Sequence, residues 1–257
     1  MTRSPANTPA ETRPRDGPKP EFSLIVPTLD EEAQLEETLG RAKAALGPEV
    51  EVIIVDGGSR DRTVHIGARY GRVLLADRGR GPQLRAGARA ATGEILVFLH
   101  ADTWLPDGSA AALRAAVREG AGAGCFRFAL QPPAPDLRYR LLERGVNWRT
   151  RRFLTATGDQ AIFASRAAYD ACGGFPALPL FEDVAFVRAV RRVARFEPLA
   201  QAVRTSSRRW EAGFLRTILR HWALRAAYAA GVDPRRLGRH HMRRDQQEAA
   251  TNPPATP

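Results

Sequence analysis

Lysine is almost missing from this chain. Only Lys19 and Lys43 occur, so nearly all of the 39 basic residues are arginine. The net charge of +11 and the pI near 10.9 are therefore arginine-made, and usage so one-sided can follow the base composition of the coding DNA rather than a ligand. No nucleic-acid motif with interleaved aromatics accompanies the charge, which argues against a nucleic-acid partner. A phosphate-bearing substrate or an anionic membrane surface accounts for it equally well. Cysteine is scarce too. Cys125 and Cys172 stand far apart without metal-ligand spacing, which reads as two buried thiols in a reduced, intracellular protein. Long apolar runs are also absent. None approaches the roughly 18 residues a spanning helix needs, and no charged segment followed by an apolar one opens the chain like a secretory leader. Together these absences predict a cytoplasmic protein.

What is present is ordinary for a globular protein: 257 residues, 44% hydrophobic and 26% charged, enough for one medium domain with a substantial core. The ends differ. Residues 1–20 are rich in Pro, Thr and Arg with little to bury, and residues 233–257 combine a basic run at 235–244 with a polar end. Both read as flexible tails around a single domain at 21–232. Within it, apolar runs at 22–26, 50–55, 72–75 and 95–99 alternate with helical periodicities at about 31–46, 61–70 and 82–91; the first carries Leu35, Leu39, Ala42 and Leu46. Such alternation with short loops predicts right-handed crossovers and a parallel sheet of nucleotide-binding type. The second half is mixed, with strands expected at 125–130 and 161–164 and helices at about 109–119, 136–148, 182–193 and 211–230.

Ligands of parallel α/β sheets bind beyond the carboxyl ends of the strands. Three acidic loops fall at such ends: Pro27-Thr28-Leu29-Asp30-Glu31-Glu32, Asp56-Gly57-Gly58-Ser59-Arg60-Asp61 and His100-Ala101-Asp102. Taken singly, each reads equally as a helix N-cap, where Ser, Thr and Asp are favoured. Three on one sheet edge point to a ligand site.

These loops, together with Phe181-Glu182-Asp183, occur in the order found in family 2 glycosyltransferases, which the chain resembles from about residue 22 to residue 210. Gly79-Arg80-Gly81-Pro82-Gln83-Leu84 and Leu96-Val97-Phe98-Leu99-His100-Ala101-Asp102-Thr103 further resemble a compact bacterial subgroup that lacks transmembrane helices. The resemblance implies the GT-A fold: α/β, a mostly parallel twisted sheet flanked by helices, one domain with a donor half at about 21–104 and an acceptor half at about 105–232. It also implies a hexosyltransferase-type enzyme. Such an enzyme moves a sugar from a UDP- or GDP-sugar, with inversion, onto an acceptor hydroxyl or carboxylate. The sequence does not name that acceptor, which the subgroup suggests is of lipid or carotenoid type.

Residue by residue, the resemblance has Asp56 accept a hydrogen bond from the donor base, while Pro27, Thr28 and Glu31 line the base and ribose. Asp30 and Glu31 read equally as first-turn acids favoured by the helix dipole. His100-Ala101-Asp102 stands where the family carries Asp-x-Asp, and residues two apart in an extended segment point to one side. Asp102 is the expected ligand of Mg²⁺ or Mn²⁺, which bridges the diphosphate. His100 replaces the first Asp and reads as a second metal ligand or as a contact to the ribose. Asp183 is the implied catalytic base, with Glu182 orienting a neighbour or binding acceptor. Asp159, in Gly158-Asp159-Gln160, falls in a segment that contacts acceptor or donor. Ser206-Ser207-Arg208-Arg209-Trp210 resembles the family's Arg-Trp segment, placing Arg208 and Arg209 near the diphosphate and Trp210 over the acceptor. Arg80 and Arg85 offer a second phosphate contact. The helix expected at 211–230 carries Phe214, Leu215, Ile218, Leu219, Trp222 and Tyr228 among arginines. It reads either as docked on the core or as a peripheral contact, through 211–231, with the inner face of the cell membrane. His221 on that helix is a further metal-ligand candidate or a structural residue.

Two other readings start from the same residues. A nucleotidyltransferase on a similar sheet would want a Gly-rich basic loop after the first strand, where this chain is acidic. A basic membrane- or nucleic-acid-binding protein would leave the strand-end carboxylates without a purpose.

Overall fold

Residues 19–132, 134, 136–211 and 213–238 are described by the structure, a computed structural model. Phe22–Thr28 (β1) is buried at every position, and Glu51–Asp56 (β2), after the helix Glu32–Leu46 (α1), is buried at all but the first. Runs this apolar form the middle of a sheet covered on both faces. Thr63–Ala68 (α2), Arg72–Leu75 (β3), Arg80–Ala90 (α3) and Ile95–Phe98 (β4) complete the alternating half. The second half runs Thr103–Trp104 (β5), Ser109–Arg118 (α4), Ala121–Gln131 (β6), Leu137–Phe153 (α5), Ile162–Ser165 (β7), Arg166–Ala171 (α6), Glu182–Val190 (α7), Arg195–Ser206 (β8), Arg208–Glu211 (α8) and Phe214–Ala229 (α9). A single 3₁₀ turn, Gly158–Gln160, precedes β7.

Among the described residues the strands form one eight-stranded sheet in the order β3-β2-β1-β4-β7-β6-β8-β5. β3, β2, β1 and β4 are parallel, as the alternating pattern predicts. β7 then runs antiparallel to both β4 and β6, β6 and β8 pair in parallel, and β5 caps the edge antiparallel to β8. The parallel order reverses direction beside β1, where β2 lies on one side and β4 on the other, the place where open α/β sheets bind ligands. Register brings Thr28 opposite Asp56 at that edge. On one face α1 buries Leu35, Leu39 and Leu46 against the sheet; on the other, α3 buries Leu84 and Ala88. α3 sits unusually close. A Cβ on Gly87 would lie 2.4 Å from Ile25 Cγ2, so only glycine permits this approach.

Several boundaries differ from expectation. β6 begins at Ala121 rather than at 125, because the small residues Gly122 and Gly124 lie in the strand, where a Cβ would collide with Ala194 and with Glu197 O. α5 extends five residues past 148, and α7 stops at Val190. β8 had no expected counterpart. The segment expected as a basic flexible tail from 233 is helical over 234–238, with Gly238 buried against Pro179; residues 1–18 and 239–257 of the expected tails lie outside the described residues. Cys125 is buried but Cys172 is only partly so, against the expectation of two buried thiols.

Candidate active site

The first group of predicted residues gathers at the ends of β1 and β2. Asp56, 1% exposed, accepts hydrogen bonds from the backbone N–H of Gly58 and of Ser59 (both 2.8 Å), from Thr28 Oγ1 (3.2 Å) and from the Ser59 hydroxyl. A carboxylate offers about four acceptor positions, and here all are engaged within the protein, so a nucleotide base that binds Asp56 displaces one of these partners. The Ser59 hydroxyl also accepts from Asp30 N at 2.9 Å. Gln83 of α3, almost wholly buried, donates to Thr28 O (2.8 Å) and Val55 O (2.7 Å), tying the two strand ends together. Asp30 takes a left-handed conformation (φ 53°) and accepts from Arg60 N at 2.7 Å, so the two loops brace each other. Pro27 lies buried within β1.

β8 carries the second group. Its end is sewn to the Asp102 loop through Ser206 N to Asp102 O (3.1 Å) and Thr103 Oγ1 to Thr205 Oγ1 (3.0 Å). The chain then turns into α8, and Arg208 reaches back to Glu31 at 4.0 Å across the mouth of the first group. Trp210 packs instead with Phe214 and with the His221 ring, 5.4 Å away. The Arg209 side chain lies outside the described residues. Among the described residues no three Asp, Glu, His or Cys side chains cluster closely enough to hold a metal by themselves. Asp102 still fits a hard cation of the Mg²⁺ or Mn²⁺ kind, because such ions take one or two carboxylates and fill their remaining positions with substrate phosphates and water.

The third group surrounds Asp183. Phe181 is left-handed (φ 62°) and starts α7, so that Glu182 and Asp183 occupy its first turn. Asp183 accepts from Val184 N (2.6 Å) and from Gly158 N (2.8 Å), locking the 3₁₀ turn onto α7. His100 lies in the same crevice, with Gly158, Glu182 and Asp183. A Cβ on Gly158 would stand 2.4 Å from His100 Nε2, so the imidazole is packed against that glycine. Burial raises the Asp183 carboxyl above the ordinary range; the two backbone N–H groups pull it back, Asp159 pushes it up and Arg80 opposes the rise. Burial pushes Glu182 to about 7, the charge of Asp183 adds to this, and Arg80 again opposes it. Arg80, at the start of α3, is thus the cation nearest in effect to both acids. Asp159 is held by Thr157 Oγ1 at 2.5 Å.

A family model described as Glycosyl transferase family 2 matches residues 23–172, more than half of the chain and including each of these loops up to Gly158–Gln160. The chain belongs to that family. It is 34% identical over 112 residues to a dolichyl-phosphate beta-glucosyltransferase of Drosophila melanogaster, the match covering 36% of this chain and 34% of the relative. It is 33% identical over 96 residues to an undecaprenyl-phosphate 4-deoxy-4-formamido-L-arabinose transferase of Pseudomonas aeruginosa, covering 33% and 28%. The chain thus spans about a third of the length of these curated relatives. Among solved structures, it matches the mannosyltransferase PcManGT of Pyrobaculum calidifontis, in complex with GDP-Man and Mn²⁺, with TM-score 0.58 and 22% identity over 86% of this chain and 64% of that one. It matches S. aureus TarS 1-349, in complex with UDP-GlcNAc, with TM-score 0.57 and 21% identity over 72% and 58%. The fold is GT-A.

Sequence reasoning assigned no role to Ser59 or Gln83. Gln83 carries one signal, a polar residue between Pro82 and Leu84 on the buried side of a helix.

Proposed function

We propose that the protein moves a sugar from a nucleotide-sugar donor, UDP- or GDP-linked, to an acceptor oxygen at a membrane surface, with inversion at the anomeric carbon. The observation that carries this reading is Asp183, a carboxylate with raised proton affinity held by two backbone N–H groups in a crevice on the ligand-binding edge of the sheet. Thr28, Asp56 and Glu31 receive the nucleoside, and Arg208 and Arg80 face its diphosphate. Asp102 would hold a divalent cation, which supplies charge neutralisation for the departing nucleoside diphosphate. The acceptor oxygen attacks the anomeric carbon from the side opposite the diphosphate. The new C–O bond forms as the old one breaks, its electron pair leaves with the nucleoside diphosphate, and an acceptor that attacks as a hydroxyl or a singly protonated phosphate passes its proton to Asp183. No covalent sugar–protein intermediate is needed.

The membrane part of the reading rests on α5 and α9. Their N-terminal ends are neighbours, through Tyr139 against Phe214 at 5.6 Å. α9 docks on the core with one face and leaves another outside: Phe214, Thr217, His221 and Tyr228 pack inward, while Leu215, Leu219 and Trp222 form an outer stripe 69–73% exposed. α5 adds exposed Leu137, Leu141 and Trp148 among Arg138, Arg140 and Arg144. Apolar stripes flanked by arginine suit an anionic bilayer surface, and the named relatives act on lipid-phosphate acceptors. No helix among the described residues is long and apolar enough to cross a membrane.

The direct test is Asp183→Asn. Transfer is expected to fall about 10²–10⁴-fold, the usual worth of a general base, while calorimetric binding of the donor nucleotide is retained. Turnover at the wild-type rate would refute the mechanism.

A further inference from the structure

α5 is fixed in register at two points. Asn147 clamps Phe128 through Oδ1 to N and Nδ2 to O, both 2.8 Å, and Thr150 exchanges hydrogen bonds with Gln160 at 3.2 and 3.3 Å. Arg149 stands between these anchors with its Nε buried and without a hydrogen-bond partner, and Thr155 Oγ1, in the loop from α5 to Gly158, is a second buried polar atom left unpaired. On α9, His221, Arg225 and Tyr228 share one face. That face is seated at both ends, by the His221 ring against Trp210 and by Tyr228 stacked on Phe181 at 4.6 Å. It therefore looks onto the turn that carries Glu182 and Asp183. Neither Arg149 nor Arg225 enters an ion pair among the described residues. Burial, and next the charge of Arg225, push Arg149 down to about 10, while Asp159 and Asp183 lie close enough to pull it back up. The two guanidiniums thus sense each other beside Asp159 and Asp183, and the buried Arg149 Nε has no acceptor from the protein.

We infer that Arg149 and Arg225 form an anion site on the acceptor side of Asp183, which takes a phosphate group of the acceptor. This rests on the transfer reading above and names the acceptor's chemistry. Two facing cations call for an anion of more than one charge, and a phosphate monoester carries about −1.5 to −2 at neutral pH. Its oxygens also match the guanidinium fork, which a single carboxylate fills only once.

Titration calorimetry on the full chain tests this, using inorganic phosphate, farnesyl phosphate and farnesol as probes on wild type, Arg149→Gln, Arg225→Gln and Arg149→Lys. Farnesyl phosphate is expected to bind the wild type. Each Gln substitution should weaken it at least tenfold and Arg149→Lys should weaken it less, while binding of UDP or GDP with Mn²⁺ is unchanged and certifies the fold. Inorganic phosphate binding within tenfold of farnesyl phosphate would assign a soluble phosphorylated acceptor, and much weaker binding a lipid-borne one. Absence of phosphate binding by the wild type, or undiminished binding by both Gln variants, would overturn the site. The transfer reading fails separately: phosphate binding that depends on both arginines, in a wild type that transfers no sugar, would keep the site and remove the reading. Sugar transfer with an unchanged acceptor KM in both Gln variants would do the reverse.

Discussion

As the proposed base, Asp183 has to be deprotonated, and its setting makes that harder than for an ordinary carboxylate. Burial raises its proton affinity, so the rate is expected to fall as pH drops through a value above the usual range near 4. Arg80 lowers both Glu182 and Asp183. Removing it in Arg80→Gln should therefore move the acidic limb of the kcat/KM profile to higher pH, and an unmoved limb would mean that Arg80 does not face these acids. Carboxylates of this kind were legible in the sequence. Asp56 and Asp102 stand out because they end strands on one sheet edge, whereas Asp183 stands out only through the family resemblance. Arg149 and Arg225 were not legible. Their distinction is that they lack partners, which is a property of three-dimensional packing and leaves no mark in a chain where almost every basic residue is arginine. Nor could composition show that Asp56 is already saturated by its own loop.

The alternating half of the fold was readable because its strands are mostly apolar runs and α1 keeps its helical period. β8 was not, and the reason is physical. Pro198 interrupts it, and its register against β6 shifts between Cys125 and Arg127, so its buried positions change phase between Phe196 and Leu199. Yet the end of β8 bonds to the Asp102 loop through Thr205 and Ser206 and leads into α8, whose Arg208 reaches Glu31. α5 shows the converse. β7 pairs with β6 only over residues 123–125, and further along that edge the Asn147 side chain takes over at Phe128. Asn147→Ala strips both partners from buried backbone groups and is expected to cost about 2–4 kcal/mol. Chemical denaturation measures this, and a loss under about 0.5 kcal/mol would show that water replaces the clamp.

The molecule as a whole presents one polar edge, where the three acidic loops, Asp183 and the arginines converge, with an arginine-fringed apolar surface on the neighbouring helices. On the proposed reading, a soluble donor enters from one side while a lipid-borne acceptor stays at the bilayer. Leu219→Glu and Trp222→Glu lie on the exposed stripe and should leave folding intact while releasing the protein from anionic vesicles in flotation assays; binding of wild type should weaken with salt. Retention of both variants on vesicles would place the contact elsewhere. The central claim, single-displacement transfer at Asp183, is tested most directly by the anomeric configuration of the product. With an α-linked nucleotide sugar, Mn²⁺ and a lipid extract as acceptor, proton NMR of the isolated glycoside is expected to show the β-anomer, lost with Asp183→Asn. An α-linked product, with or without Asp183, would contradict the account.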